Sequence, residues 1–149
     1  MSSKKAAKAA KAAKRSSKLV DAAMVGDVET MARVMGSGPK LDIDALVARE
    51  GWEIPLTNEK LPHFDATALF SAVANEKEAA VRFLLDRGAN PSLACSTGMT
   101  PLMIAVCKGN QPIMQMLTEA RADLDAVCPD DGFTAFHYTC YYNLSLIHI

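Results

Sequence analysis

The residues of this chain whose types and spacing could do chemistry are its four cysteines, its turn-rich aspartates and one well-placed histidine. Cys95, Cys107, Cys128 and Cys140 could in principle ligate zinc or close disulfides. No two of them form the close CxxC pair that structural zinc sites use. Their intervals are 12, 21 and 12 residues, so Cys95 and Cys128 are 33 apart, as are Cys107 and Cys140. Two structural positions that each occur twice explain that pattern without a metal, and the thiols read as free, buried or semi-exposed. Asp42, Asp44, Asp123, Asp125, Asp130 and Asp131 lie in turn-like stretches. Aspartate there folds back onto its own backbone, which makes an acidic rim and not a calcium loop. His137 has no nucleophile beside it to activate, and His63 reads as a loop residue. GxGxxG, Walker, HExxH and GxSxG motifs are missing. The chain therefore reads as one without catalysis, cofactor or metal.

The elements that carry these residues repeat. Thr67-Ala-Leu-Phe-Ser-Ala-Val-Ala-Asn-Glu76, Thr100-Pro-Leu-Met-Ile-Ala-Val-Cys-Lys-Gly109 and Thr134-Ala-Phe-His-Tyr-Thr-Cys-Tyr-Tyr-Asn143 align, with threonines 33 and 34 residues apart. The following halves, Val81 to Asn90 and Met114 to Asp123, also agree: an apolar helical pattern, then a turn. Gly88 suits a left-handed helix end, and Arg121 replaces it in the next copy. An upstream copy begins at Leu19, with Gly26 at the place of Glu76 and Leu41 read at the place of Leu124. One period leaves about 17 inserted residues there.

With the Thr-Pro-Leu of residues 100–102, the histidine at 137 and the Leu-Leu-x-x-Gly-Ala-Asn ending of residues 84–90, the chain resembles the ankyrin repeat. Met103 stands where that signature has histidine, and Ala68 and Ala135 where it has proline. The resemblance implies an all-α repeat solenoid: helix-turn-helix units joined by β-turn or hairpin fingers. Residues 18–44, 65–97 and 98–130 form units, 131–143 an incomplete unit, and 45–64 an inserted loop in which Trp52 and Ile54 either pack back or face a partner. Stacking units share one core, predicted to hold Leu69, Ala72, Val73, Val81, Leu84 and Leu85, then Leu102, Ala105, Val106, Ile113, Met114 and Leu117. Ala22, Ala72 and Ala105 fit where helices approach closely, Thr100 and Pro101 open a helix, and Asp65 or Thr67 caps the copy before it. The resemblance also implies that the His137 ring hydrogen-bonds turn backbone.

A protein-binding scaffold or adaptor follows, its partner held on the concave side. Carried over by phase, the candidate contacts are Ser92, Cys95, Ser96 and Met99 on one finger and Asp125, Cys128, Asp130, Asp131 and Phe133 on the next. Asn75, Ile104 and Lys108 line the palm, Tyr138 and Tyr141 lie in the last helix, and Trp52 lies in the insertion. The acidic rim favours a basic partner and disfavours nucleic acid on the body. The other readings are a regulatory ankyrin segment of a larger protein with an enzymatic or zinc-finger domain, and a nucleic-acid-associated factor acting through its first residues.

Those first residues are distinctive. Positions 1–18 hold seven basic residues and no acidic one, while the remainder holds nine basic and seventeen acidic. Alanine and lysine favour helix, so residues 1–17 read as a basic tail or helical extension; weak contact to nucleic acid or anionic membrane and a targeting peptide are the alternatives. Ser2 excludes N-myristoylation, and no apolar run is long enough to span a bilayer. An intracellular location is expected, cytoplasmic first and nuclear second. The last six residues, Leu144 to Ile149, resemble a translated sequencing adapter; the expectation is a natural chain that continues past Asn143.

Overall fold

The computed structural model describes residues 2–38, 40–53, 60–61 and 63–142, with backbone alone at 2–3, 52–53 and 60–61. The suspected non-native tail at 144–149, Asn143 and Ile54 lie outside these residues.

Three helix pairs and a further helix stack in two layers. They are α1 (Ser2–Val25) with α2 (Val28–Gly36), α3 (Ala68–Ala74) with α4 (Glu78–Asp86), α5 (Pro101–Lys108) with α6 (Gln111–Glu119), and α7 (Ala135–Tyr141). The first helices pack in the order α1, α3, α5, α7, and the second helices in the order α2, α4, α6. Every predicted core residue is buried except Leu85, which is half-buried, and Phe70, Ile104 and Tyr138 join them. The helices begin where threonine supplies an acceptor. Thr67 Oγ1 takes the Phe70 N–H at 3.1 Å, and Thr100 Oγ1 takes that of Met103 at 3.3 Å. Each such cap is worth about 1 kcal/mol. Asp65 is not a cap: it is exposed in a strand.

One closure recurs between the helices of each unit. The carbonyls of Ala22, Ala72 and Ala105 accept the N–H of Asp27, Lys77 and Asn110 at 2.9, 2.9 and 3.1 Å. The residue between, Gly26, Glu76 or Gly109, has φ of 79°, 56° or 67°. The second helices end the same way, with Ala89 and Ala122 donating to Leu84 and Leu117, and Gly88 and Arg121 left-handed at 83° and 61°. These are Schellman turns, which satisfy the last carbonyls but need a positive φ. A β-carbon makes that conformation unfavourable by about 1–2 kcal/mol, so Glu76 and Arg121 carry local strain.

The connections repeat too. Asp42, Asn90 and Asp123 each accept, through Oδ1, the N–H two residues on. The third residue of one turn then binds the next turn: Asp44 Oδ1 takes the Asn90 N–H at 2.9 Å, and Ser92 Oγ that of Asp123 at 2.8 Å. This corrects the alignment of Leu41. It shares its place with the buried Ala89 and Ala122, whereas Leu124 is 45% exposed.

The insertion, expected as a loop, is a long β-hairpin. β1 (Val47–Arg49) pairs antiparallel with β4 (Phe64–Ala66), and β2 (Trp52–Glu53) with β3 (Lys60–Leu61). Both pairings keep the same offset, Val47 opposite Ala66 in one and Glu53 opposite Lys60 in the other. The β-branched and aromatic residues here suit strands, and the extra length leaves the stack undisturbed because a finger projects from it.

The next two fingers touch. Gly98 has φ of 83°, and a β-carbon there would run into the Pro129 ring. Gly98→Ala is therefore expected to destabilise by at least about 2 kcal/mol, through overpacking and strain together. Glu76→Gly and Arg121→Gly should each stabilise by about 0.5–1 kcal/mol, the relief of strain exceeding the added freedom of the unfolded chain. Urea midpoints at constant m-value check all three.

A candidate concave groove

The hairpin leans over the first helices and encloses a groove of about 690 Å³. Ala48, Arg49, Glu50, Gly51 and Phe64 of the finger form one wall. Met24 of α1, the α3 residues Phe70, Ser71 and Ala74, the C-terminal cap Asn75, and Lys108 of α5 form the floor and far end. Met24, Ala74 and Cys107 are the same position of successive units, and Val25, Asn75 and Lys108 the next one, so the palm is a repeated surface. Phe64 packs edge-on against Phe70 with ring centroids 6.5 Å apart, which anchors the finger to the stack.

Arg49 is held by an ion pair at the edge of this groove, whose lining also carries the charges of Glu50 and Lys108. Its Nη2 donates to Asp21 Oδ1 of α1 at 2.7 Å, and its side chain is only 17% exposed. Its Nε is buried and has no hydrogen-bond acceptor among the described residues, a state worth about 1–3 kcal/mol of lost hydration. Lys108 is exposed at the far end and forms no ion pair among the described residues. The groove therefore joins a partly apolar floor, with Met24 and Ala74 half-buried, to the exposed ammonium of Lys108.

The residues expected to meet a partner divide. Asn75 and Lys108 line the groove together. Ser96, Asp125, Asp130, Asp131 and Tyr141 are exposed, and Ser92 and Phe133 half-buried. Cys95, Met99, Ile104, Cys128 and Tyr138 are buried, at 4, 3, 0, 2 and 1% exposure, and offer a partner no side-chain surface. The reason is packing: the helix face of Ile104 and Tyr138 turns into the neighbouring unit, and the finger bases fold their cysteines inward. The Trp52 side chain lies outside the described residues.

Several exposed polar groups are already occupied. Ser96 Oγ accepts the Asp65 N–H at 2.8 Å, tying the hairpin to the next finger. Asp131 spends one oxygen on the Phe133 N–H at 2.9 Å and the other on the Tyr138 hydroxyl at 2.5 Å. Asp125 stands where Asp44 and Ser92 make their bonds between turns, yet no bond to its carboxylate occurs among the described residues. The His137 Nδ1 accepts the Thr134 N–H at 3.1 Å, and its ring stacks on Phe133 at 5.5 Å. That is the structural use expected of it. Met103 fills the same place in α5 with a sulfur 3.4 Å from the Thr100 N–H, a weaker acceptor than imidazole. His63 is exposed, 3.8 Å from Glu50.

Arg49, Phe64, Met24, Ser71 and Ala74 were missed from the sequence. The period signals Met24 and Ala74, but Arg49 and Phe64 become visible only once the hairpin register is known. All four cysteines are free thiols, and no group of three His, Cys, Asp or Glu able to hold a metal occurs among the described residues. No helix of those residues is long and apolar enough to cross a membrane.

Beyond the groove the palm continues to Cys107 and Tyr142. Burial pushes the Cys107 thiol up from 9.0 to about 11, opposed by its hydrogen bond with Tyr142. Burial and the neighbouring Cys107 push Tyr142 up to about 12, and burial followed by the Asp131 contact raises Tyr138. Each folded value lies above its unfolded one, so the native state favours the protonated forms. Stability linked to Cys107 should be complete below pH 9 and fall as pH rises through about 11. Urea midpoints across that range are expected to decline, and Cys107→Ala to flatten the first part of the decline.

Comparison with known proteins agrees with this geometry. Residues 19–128 match the model for ankyrin repeats in three copies. The protein named "Putative E3 ubiquitin-protein ligase XBAT31" of Arabidopsis thaliana is 29% identical over 117 residues, covering 78% of this chain and 22% of that protein. The human transient receptor potential cation channel subfamily A member 1 is 36% identical over 86 residues, covering 58% of this chain and 8% of the channel subunit. The chain spans less than a quarter of either relative's length. A 33-residue period, paired helices closed by left-handed turns, a finger between units and a matching family model over 19–128 make one case: this chain belongs to the ankyrin-repeat family.

Proposed function

We propose that this chain captures a protein partner in the groove beneath its long finger, without catalysis. Ankyrin-repeat modules are typical of protein–protein interaction scaffolds, and the observation that carries the finer reading is the groove itself. It sets the half-buried Met24 and Ala74 beside the exposed Asn75 and Lys108, and Lys108 forms no ion pair among the described residues. An apolar side chain flanked by a carbonyl or carboxylate acceptor fits that lining: the apolar part is buried at about 25 cal/mol per Å², and the acceptor pairs with the Lys108 ammonium. Asp125 and Asp130 on the third finger are exposed, so basic residues elsewhere on the same partner would speed encounter. An intracellular site of action, cytoplasmic or else nuclear, accords with four uncrosslinked thiols.

The two relatives favour a second reading, in which the array is the partner-binding segment of a larger protein. Each carries a similar stretch within a much longer chain. The intact mass of the native protein separates the two: agreement with 149 residues supports the free-standing adaptor, and a larger mass the second reading.

Capture in the groove is tested with a photoreactive amino acid at position 75 and, as control, at the exposed Gln115 of α6. One partner should crosslink from position 75 and not from 115. In the unlabelled chain, Asn75→Arg and Lys108→Glu should each weaken capture of that partner by about tenfold, or 1.4 kcal/mol. Equal crosslinking from both positions would rule the groove out.

A further inference from the structure

We infer that the exposed part of α1 is a sequence-independent binding element for duplex nucleic acid, separate from the partner groove. The first residues do not hang loose. They continue the helix that carries Leu19, Val20 and Ala23 into the core, so their charges share one helical spacing. Lys4, Lys8, Lys11 and Arg15 recur at steps of four, three and four residues and share one face. At 1.5 Å per residue they form a line of about 16 Å.

A second segment adds to this line. Lys40, just after α2, joins Lys8, Lys11 and Arg15 around a cavity of about 400 Å³ floored by Ala12 and Leu41. Arg15 is held there by a hydrogen bond from Nη2 to the Val34 carbonyl at 2.9 Å. Asp42 is the acidic residue of the lining, and its Oδ1 takes the Asp44 N–H. Lys8, Lys11 and Lys40 form no ion pair among the described residues. Residues 4–14 are exposed throughout, so packing gives nothing back for the repulsion among these charges. A polyanion does, because neutralising its phosphates releases condensed counterions.

The residue types select the polyanion. Residues 1–18 contain no Trp, Phe or Tyr, and single strands are gripped by bases stacked on aromatic rings. They also contain no Leu, Val or Ile and no Met beyond the initiator, so no large apolar face exists to enter a bilayer. What remains is a line of cations suited to phosphate backbone and blind to sequence. The acidic fingers carry no comparable surface, which confines the contact to α1 and Lys40.

The test uses the full chain and a labelled mixed-sequence DNA duplex of about 25 base pairs, followed by anisotropy against salt. Four phosphate contacts predict a log–log slope of about −4 and a loss of about a hundredfold between about 50 and 200 mM salt. The triple variant Lys8→Gln, Lys11→Gln, Lys40→Gln keeps good helix formers. It should reduce the slope by about three with unchanged circular dichroism. No binding at about 50 mM salt, or a variant with the parent's slope, overturns the inference. So does tighter binding to anionic lipid vesicles than to the duplex, or low-salt self-association of the chain in place of duplex binding.

Discussion

A two-helix unit of this chain has apolar side chains on both broad faces, and only another unit can cover them. Leu69, Val73 and Leu84 on one side and Leu102, Val106 and Leu117 on the other are fully or almost fully buried by that stacking. Neighbours must therefore present the same face at the same offset. That demand accounts for the period near 33 residues, the small Ala22, Ala72 and Ala105 at close approaches, and the left-handed closure after each helix. Where the sequence departs from the ideal residue, as at Glu76 and Arg121, the backbone still takes the conformation that the stack imposes.

Freedom begins where the stack ends. A finger meets its neighbours at its base and projects beyond it, so its length costs the core nothing. Between the turn at Asn90 and the helix at Pro101 the connection is short, whereas from Asp42 to Ala68 it has become a paired hairpin. The added length gives this molecule its groove. Phe64 against Phe70 and Arg49 against Asp21 hold the hairpin over the palm. The ion pair alone would be worth little at a surface, and the aromatic contact supplies the apolar anchoring it lacks.

Charge divides the molecule by region. The turns carry aspartates because their side chains close the backbone, as Asp42 and Asp123 do, and an acidic rim is the consequence. Basic residues gather on α1, where the rim reaches them through Asp42 beside Lys8, Lys11, Arg15 and Lys40. The concave groove holds a third balance, with Arg49 half-satisfied and Lys108 free of ion pairs among the described residues.

The sequence by itself determined the repeat, the helix pairs, their core faces and the structural place of His137, because these depend on local pattern and on periodic burial. It also placed Asn75 and Lys108 on the palm, since phase alone decides that. Tertiary structure decided the rest. Residues 45–64 read as a loop because strand pairing joins residues far apart, such as Val47 and Ala66, and no local pattern fixes that register. Cys95, Met99, Ile104, Cys128 and Tyr138 had the phase of a contact surface, yet the depth at which neighbouring units and fingers meet buries them. Arg49 joined the groove wall only when the hairpin carried it to Asp21. A period states which residues are equivalent; only the packed neighbours state which of those equivalents still face outward.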